Sequence, residues 1–349
     1  MSEPRFLVVR LGSLGDIVHT FPAVAGLRLS FPRAEIVWLT HPRWTNLVAS
    51  SGLATEIWPV DSRVLASVRQ TIAKIRAQQW DAAIDYQGLW KSALPPFLGG
   101  VPKRIGFSSE AIREFGVPVL YTDRVHARAS HIADQNGELS LRAGAQAAVG
   151  PVRLQVSETD RQRVCSDLAA AGIDRYIVLS PGGGWRSKCW PAERFGELCR
   201  KIREELNLRC VINYGPGEET LAAAVKSASG NADPLLYDGE LGQLMALLQG
   251  ARCIVGGDTG PLHLAVALGT PVVALFGPTN PARNGPYRNP ASSASAAQSS
   301  DRYNPQDIVL RAPNVVTTHS RQDRTHPSML EIQVDAVFEA VHRIVEARK

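Results

Sequence analysis

The sequence predicts an α/β protein built from two doubly wound, Rossmann-like domains, because short β-branched runs alternate with amphipathic stretches along its whole length. The β-branched runs also tend to end in glycine-rich turns before the next helical stretch, and 349 residues suit two domains of ordinary size. Hydrophobic residues at 44% and charged residues at 20% belong to a globular chain, which excludes whole-chain disorder and fibre.

In the first half, Phe6–Val9, Glu35–Leu39, Ala82–Ile84 and Arg104–Gly106 read as strands. A helix over Asp16–Leu29, stopped by Pro32, joins the first two, and another covers Ser62–Gln79. The second half repeats the grammar: strand Tyr176–Ser180 and a helix from Pro191, strand Arg209–Asn213 and a helix from about Glu218, strand Cys253–Gly256 and a helix from Pro261, then strand Val272–Phe276. Residues 150–160 read as the crossing between halves, so the domains are 1–155 and 156–330. Residues 291–300 form a low-complexity loop rich in Ala and Ser. The chain closes on an amphipathic helix, Val334–Ala347, with Val334, Val337, Phe338, Val341, Ile344 and Val345 on one side.

The N-terminal apolar run is too short for a secretory signal, and no segment approaches the roughly 20 apolar residues of a membrane span, so a cytoplasmic protein is expected. Five cysteines, all in the second half and without CxxC or zinc-type spacing, read as reduced thiols; neither a disulfide framework nor a metal cluster is supported. The net charge is +5, and residues 1–150 hold 16 Lys/Arg against 12 Asp/Glu. That excess serves either solubility or an anionic neighbour such as a phosphorylated lipid or a membrane surface. Nucleic acid is disfavoured, since the basic residues are scattered without interleaved aromatics.

The turn from Gly256 to His263 carries the most chemistry. Gly257 and Gly260 allow a tight turn, Thr259 can cap the following helix, and Pro261 suits its first position. Backbone amides and the positive end of a helix dipole then meet at one point, a site for phosphate. Asp258 and Thr259 read equally as a plain helix cap, and His263 as a packed helix residue. A second turn, Ser180 to Trp190, brings Gly183, Gly184 and Lys188 toward a diphosphate; it lacks the Walker pattern. Trp185 and Trp190 read as packing or as a sugar platform, with packing the simpler choice. The third turn, Tyr214 to Glu219, offers Glu218 for ribose hydroxyls, although Glu218 and Glu219 also suit the first turn of a helix.

In the first half, the turn from Arg10 to Thr20 places Asp16 at a helix start, where an acid commonly caps. Facing a donor site across a cleft, it can instead take a proton from an acceptor hydroxyl, with Ser13 and His19 orienting it and Gly12 and Gly15 admitting substrate. Nicotinamide and flavin chemistry are disfavoured, because the G-x-G-x-x-G fingerprint and the acid at the end of the second strand are absent. No D-x-D pair is present to hold a divalent metal, so charge on the leaving group falls to Lys188, helix N-termini and amides.

These motifs resemble the lipopolysaccharide heptosyltransferases, the inverting ADP-heptose glycosyltransferases of family 9, and most closely the heptosyltransferase I group. The resemblance runs through the turn of Gly12 to Asp16, the segment Ile84 to Gly88 with Lys91, Arg104 to Phe107, Asp258 to His263, and Phe276 to Pro281. It implies the GT-B fold of two Rossmann-like domains, an acceptor-binding domain at 1–155, a donor domain at 156–330, and a closing helix within 331–349 that crosses back onto the first domain. It further implies Asp16 as catalytic base and Lys188 as the phosphate-binding lysine. Asp258, Thr259, Gly260 and His263 would form the donor site, with no metal and no cofactor. The implied partners are ADP-heptose and a lipid A-Kdo core, met by a monomer at the inner face of the inner membrane. The sequence departs from the family at Gly183 and Gly184, where members often carry Thr or Ser, and in the segment 291–330. A relative using another nucleotide sugar or surface glycan, and a catalytically silent nucleotide-binding scaffold, are the rival readings.

Overall fold

Phe6, Leu7, Val8 and Val9 are all buried in the first strand, β1 (Arg5–Val9), because a parallel strand covered by helices on both faces has no solvent side. The structure, a computed structural model, describes residues 3–288, 306–313, 315, 317–318 and 324–348. The chain divides into two compact units between Gln155 and Val156. After β1 the first unit continues through α1 (Leu14–Val18), α2 (Phe21–Ser30), β2 (Glu35–Thr40), α3 (Thr45–Ser50), β3 (Glu56–Pro59) and α4 (Leu65–Arg76). It ends with β4 (Ala82–Asp85), α5 (Trp90–Leu98), β5 (Arg104–Phe107), β6 (Asp123–Val125) and α6 (Ile132–Arg142). Its sheet has the order β3-β2-β1-β4-β5-β6, all parallel, with Val9 opposite Asp85.

The second unit opens with α7 (Glu158–Ala170), β7 (Tyr176–Ser180), α8 (Ala192–Leu206), β8 (Arg209–Asn213), α9 (Glu219–Ala228) and β9 (Leu235–Tyr237). It continues with α10 (Leu241–Gly250), β10 (Ile254–Gly257), α11 (Gly260–Ala267), β11 (Val272–Phe276) and α12 (Pro281–Asn284). β12 (Ile308–Arg311), α13 (Pro327–Glu331) and α14 (Val334–Glu346) complete it. Its strands, again all parallel, run β12-β11-β10-β7-β8-β9. In each sheet the winding reverses at the centre, between β1 and β4 and between β7 and β10. Open α/β sheets bind ligands beyond the strand carboxyl ends at such a reversal. The loops after β1 and β4 flank the first of these positions, and those after β7 and β10 flank the second.

The two parallel sheets match the α/β class expected from the sequence, with one difference in detail. The single helix expected over Asp16–Leu29 is two helices, because Pro22, which has no amide hydrogen to donate, sits in the first turn of a new helix. The closing helix, expected to cross back onto the first domain, buries its apolar face, including Val337, Phe338, Val341 and Ile344, in the core of the second unit with Leu198, Ile202 and Val273. Its approach is held there by Ile332, whose carbonyl accepts from Trp190 Nε1 at 3.0 Å and from Arg194 at 2.6 Å, and by the ion pair of Lys201 with Asp335. The low-complexity loop expected at 291–300 lies outside the described residues.

Candidate active site

At the first reversal, β1 delivers Arg10 to the carboxyl edge of the sheet, where the guanidinium is buried and pairs with Asp16 Oδ1 at 2.8 Å. Ser13 supports the other carboxylate oxygen, donating from its amide at 3.0 Å and from its hydroxyl at 2.9 Å. Burial works to raise the Asp16 pKa, but the charge of Arg10 and the two Ser13 donors outweigh it and hold the carboxyl below the usual aspartate range. The side chain remains 46% exposed, so it is an ionised carboxylate that a substrate can reach. Gly12 matters for space: a Cβ there would stand 3.1 Å from Trp44 Nε1. His19 is turned inward, with its ring edge-on to His131 at 5.4 Å, while the Asp16 carboxylate is oriented by Arg10 and Ser13.

At the second reversal, the loop after β7 and the loop after β10 meet through Lys188 and Asp258, whose Nζ and Oδ2 are 2.7 Å apart. His263 Nε2, one turn into α11, lies 3.0 Å from Asp258 Oδ1. Burial works to raise the Asp258 pKa, yet His263 and Lys188 together drive it far below the aspartate range. The Lys188 ammonium also lies over the Trp185 ring, 4.7 Å from its centroid, whereas Trp190 is core, edge-on to Phe195.

The β8 loop joins the other two through Glu218. Its carboxylate accepts from Gly215 N at 2.9 Å and occupies the space a Cβ on Gly182 would need, 2.1 Å from that position. Gly183 lies beside Thr259 Cγ2, and Gly184 is exposed to open space. Gly260 opens α11, whose first-turn amides have no acceptor within the helix. Thr259 Oγ1 is buried with no partner among the described residues.

The structure thus brings Lys188, Asp258, Thr259, Gly183 and His263 into one cluster, with Glu218 joining it over Gly182; Asp16, Gly12 and Ser13 form another, within the first unit. Sequence reasoning did not single out Arg10 or Cys189. Arg10 looks like an ordinary strand end, although an arginine just before a glycine-rich turn was a usable signal. Cys189 Sγ stands 3.4 Å from the Gly183 Cβ position, and burial, with Glu218 nearby, pushes its thiol up to about 11.

An ionised acid stands at one reversal, and a lysine with helix-start amides at the other. The pattern of glycosyltransferase family 9 (heptosyltransferase) matches residues 68–308. The chain is 30% identical over 298 residues to lipopolysaccharide heptosyltransferase 1 of Pseudomonas aeruginosa, covering 81% of each protein. It is 25% identical over 290 residues to the lipopolysaccharide core heptosyltransferase OpsX of Haemophilus influenzae, again covering 81% of each. In fold it is similar to the family 9 glycosyltransferase of Veillonella parvula, with a TM-score of 0.82 at 21% identity over 99% of this chain and 98% of that one. It is likewise similar to the heptosyltransferase WaaC of E. coli, solved with ADP, with a TM-score of 0.72 at 23% identity over 97% and 99% of the two chains. The chain belongs to glycosyltransferase family 9, the heptosyltransferases, and is a glycosyltransferase of the GT-B fold.

Proposed function

We propose that this enzyme transfers L-glycero-D-manno-heptose from ADP-heptose to the Kdo-bearing inner core of lipopolysaccharide, with inversion and without a metal. The observation that carries the reading is the half-exposed, ionised carboxylate of Asp16 at the first reversal. The first unit (1–155) holds the acceptor, using Gly12, Ser13 and the neighbourhood of His19. The second unit (from 156) holds the donor through Gly183, Gly184, Lys188, Glu218, Asp258, Thr259, Gly260 and His263. The acceptor hydroxyl gives its proton to Asp16 while its oxygen bonds to the anomeric carbon from the face opposite ADP. The bond from that carbon to the diphosphate oxygen breaks, and ADP departs with the electron pair. Lys188 and the amides near Gly183 and Gly260 meet the charge that grows on the diphosphate, the role a metal would otherwise fill. The relatives support the donor: the E. coli enzyme has been solved with ADP and with an ADP-2-deoxy-2-fluoro heptose.

Such an acceptor is a membrane lipid, and the protein is read as a cytoplasmic monomer that touches the inner face of the inner membrane. Among the described residues no helix is long and apolar enough to cross a membrane. Peripheral contact is supported instead by exposed apolar side chains on the first unit: Trp90, Phe97 and Leu98 of α5, Val64 and Leu65 at the start of α4, and Phe115, 100% exposed, with Val119. Trp90 sits beside Gly116, so Phe115 and the start of α5 are neighbours, and exposed Arg63, Lys91 and Arg113 suit anionic headgroups.

Incubation with ADP-heptose and truncated core lipid, scored by product mass and ADP release, tests the whole reading. Asp16→Ala is expected to bind donor normally and lose about 10²–10⁴ in turnover, the usual cost of a missing general base. Lys188→Ala is expected to weaken donor binding as well. Full activity of Asp16→Ala would overturn the assignment, and turnover only with another nucleotide sugar would move the enzyme to the related specificity.

A further inference from the structure

Asp85, at the end of β4, is a carboxylate 2% exposed, with no lysine or arginine paired to it among the described residues. Burying such a group is costly unless donors surround it, and here four do. Gln87 N at 2.8 Å and Gly88 N at 3.1 Å reach Oδ1, and the hydroxyls of Ser92 at 2.8 Å and Tyr121 at 2.7 Å reach Oδ2. Burial pushes the Asp85 pKa up, and the four donors oppose it.

These four bonds fix the turn of Tyr86–Gly88, and that turn serves the neighbouring loop across the β1/β4 reversal. The Tyr86 carbonyl accepts from the Arg10 guanidinium, and Gln87 Oε1 accepts from Leu11 N at 2.8 Å. Arg10 is the residue that grips Asp16. A displaced turn would therefore release the loop at Arg10 and Leu11 together.

We infer that Gln87, braced by Asp85, is a positioning residue that holds the Arg10–Asp16 pair in place for proton transfer, an inference that rests on Asp16 being the base. Gln87→Leu keeps the approximate size and removes the acceptor for Leu11 N, whereas Gln87→Glu keeps an oxygen there. In the full chain, Gln87→Leu is expected to lower kcat about tenfold to a hundredfold with donor KM changed less than about twofold, and Gln87→Glu to recover most of that loss, because small misplacements of a reacting group are that costly. Melting temperatures of both variants show that each is folded. Wild-type kcat in Gln87→Leu would overturn the inference, as would equal impairment of the two variants, which would mean that the oxygen is not what matters. Asp16→Asn in the same assay separates the two levels: if it is active, the base assignment itself fails, whereas an inactive Asp16→Asn beside a normal Gln87→Leu removes the positioning role alone.

Discussion

A base that is paired to an arginine looks at first like a weakened base. The pair keeps Asp16 below the ordinary aspartate value of 3.8, so it is fully ionised at neutral pH and oriented, at the expense of some proton affinity. Arg10 is the charged side chain that acts on Asp16; its other polar contacts are with the neutral Ser13. Removing that charge takes away a cause that lowers the carboxyl pKa and leaves burial, which raises it, less opposed. Arg10→Gln is therefore expected to move the acid limb of the kcat–pH profile to higher pH, with activity falling off in a range where the parent enzyme is still on its plateau. Arg10→Lys, which keeps the charge, should leave the limb close to its parent position. A limb that stays put in Arg10→Gln would mean that the ion pair does not set the state of Asp16. The residues that drew attention in the sequence were those in glycine-rich turns, such as Asp16, Lys188 and Asp258. Asp85 and Gln87 were legible only as part of the family segment Ile84 to Gly88, and Arg10 only as the start of a turn, because what they do arises from contacts such as Leu11 to Gln87, 76 positions apart, where no local pattern connects them.

Between elements, amphipathic spacing states which face of a helix is apolar but not where that face goes. α14 shows the difference: its apolar side is plain in the sequence, whereas its destination in the second unit depends on partners such as Leu198 and Val273. The strands β3, β6 and β9, of three or four residues each, are too short to carry a period of two, and β12 follows a long low-complexity stretch. β12 is instead secured at its start by Asp307, which takes Arg288 Nε at 2.6 Å and Nη2 at 2.8 Å, while Arg288 also donates to the Thr270 carbonyl at 2.7 Å. Both side chains are largely buried, so removing the arginine alone strands a carboxylate in the interior. Arg288→Met is expected to destabilise the second unit by about 3–5 kcal/mol, the usual result of breaking such a pair from one side. Replacing both partners, with Arg288→Met and Asp307→Leu, should recover much of the loss. Urea unfolding checks both, and a midpoint unchanged in Arg288→Met would show the pair to be dispensable.

For the molecule as a whole, the fold class was the most legible feature, because each domain repeats one unit of strand, glycine-rich loop and helix, and that repetition leaves a parallel sheet little alternative. Surface character was not legible, since a sequence does not distinguish a tryptophan that packs, such as Trp190, from one that is left partly outside, such as Trp90. Folding normally hides side chains of this size, yet Phe115 and Trp90, brought together where Trp90 lies beside Gly116, stay outside with the exposed Lys91 and Arg113 close to them in the chain. Water is a poor environment for that combination, whereas the headgroup region of an anionic bilayer suits both the rings and the charges. The protein is therefore expected to co-sediment with vesicles of phosphatidylethanolamine and phosphatidylglycerol, and far less with pure phosphatidylcholine. Lys91→Gln should weaken the association about fivefold, as one basic residue near such a surface contributes about 1 kcal/mol, and Phe115→Asp should weaken it further. High salt should erase the lysine effect while leaving part of the phenylalanine effect, because screening acts on the charges and not on buried apolar area. Equal binding to both vesicle types, or wild-type binding by Phe115→Asp, would mean that this face is not the one that meets the lipid.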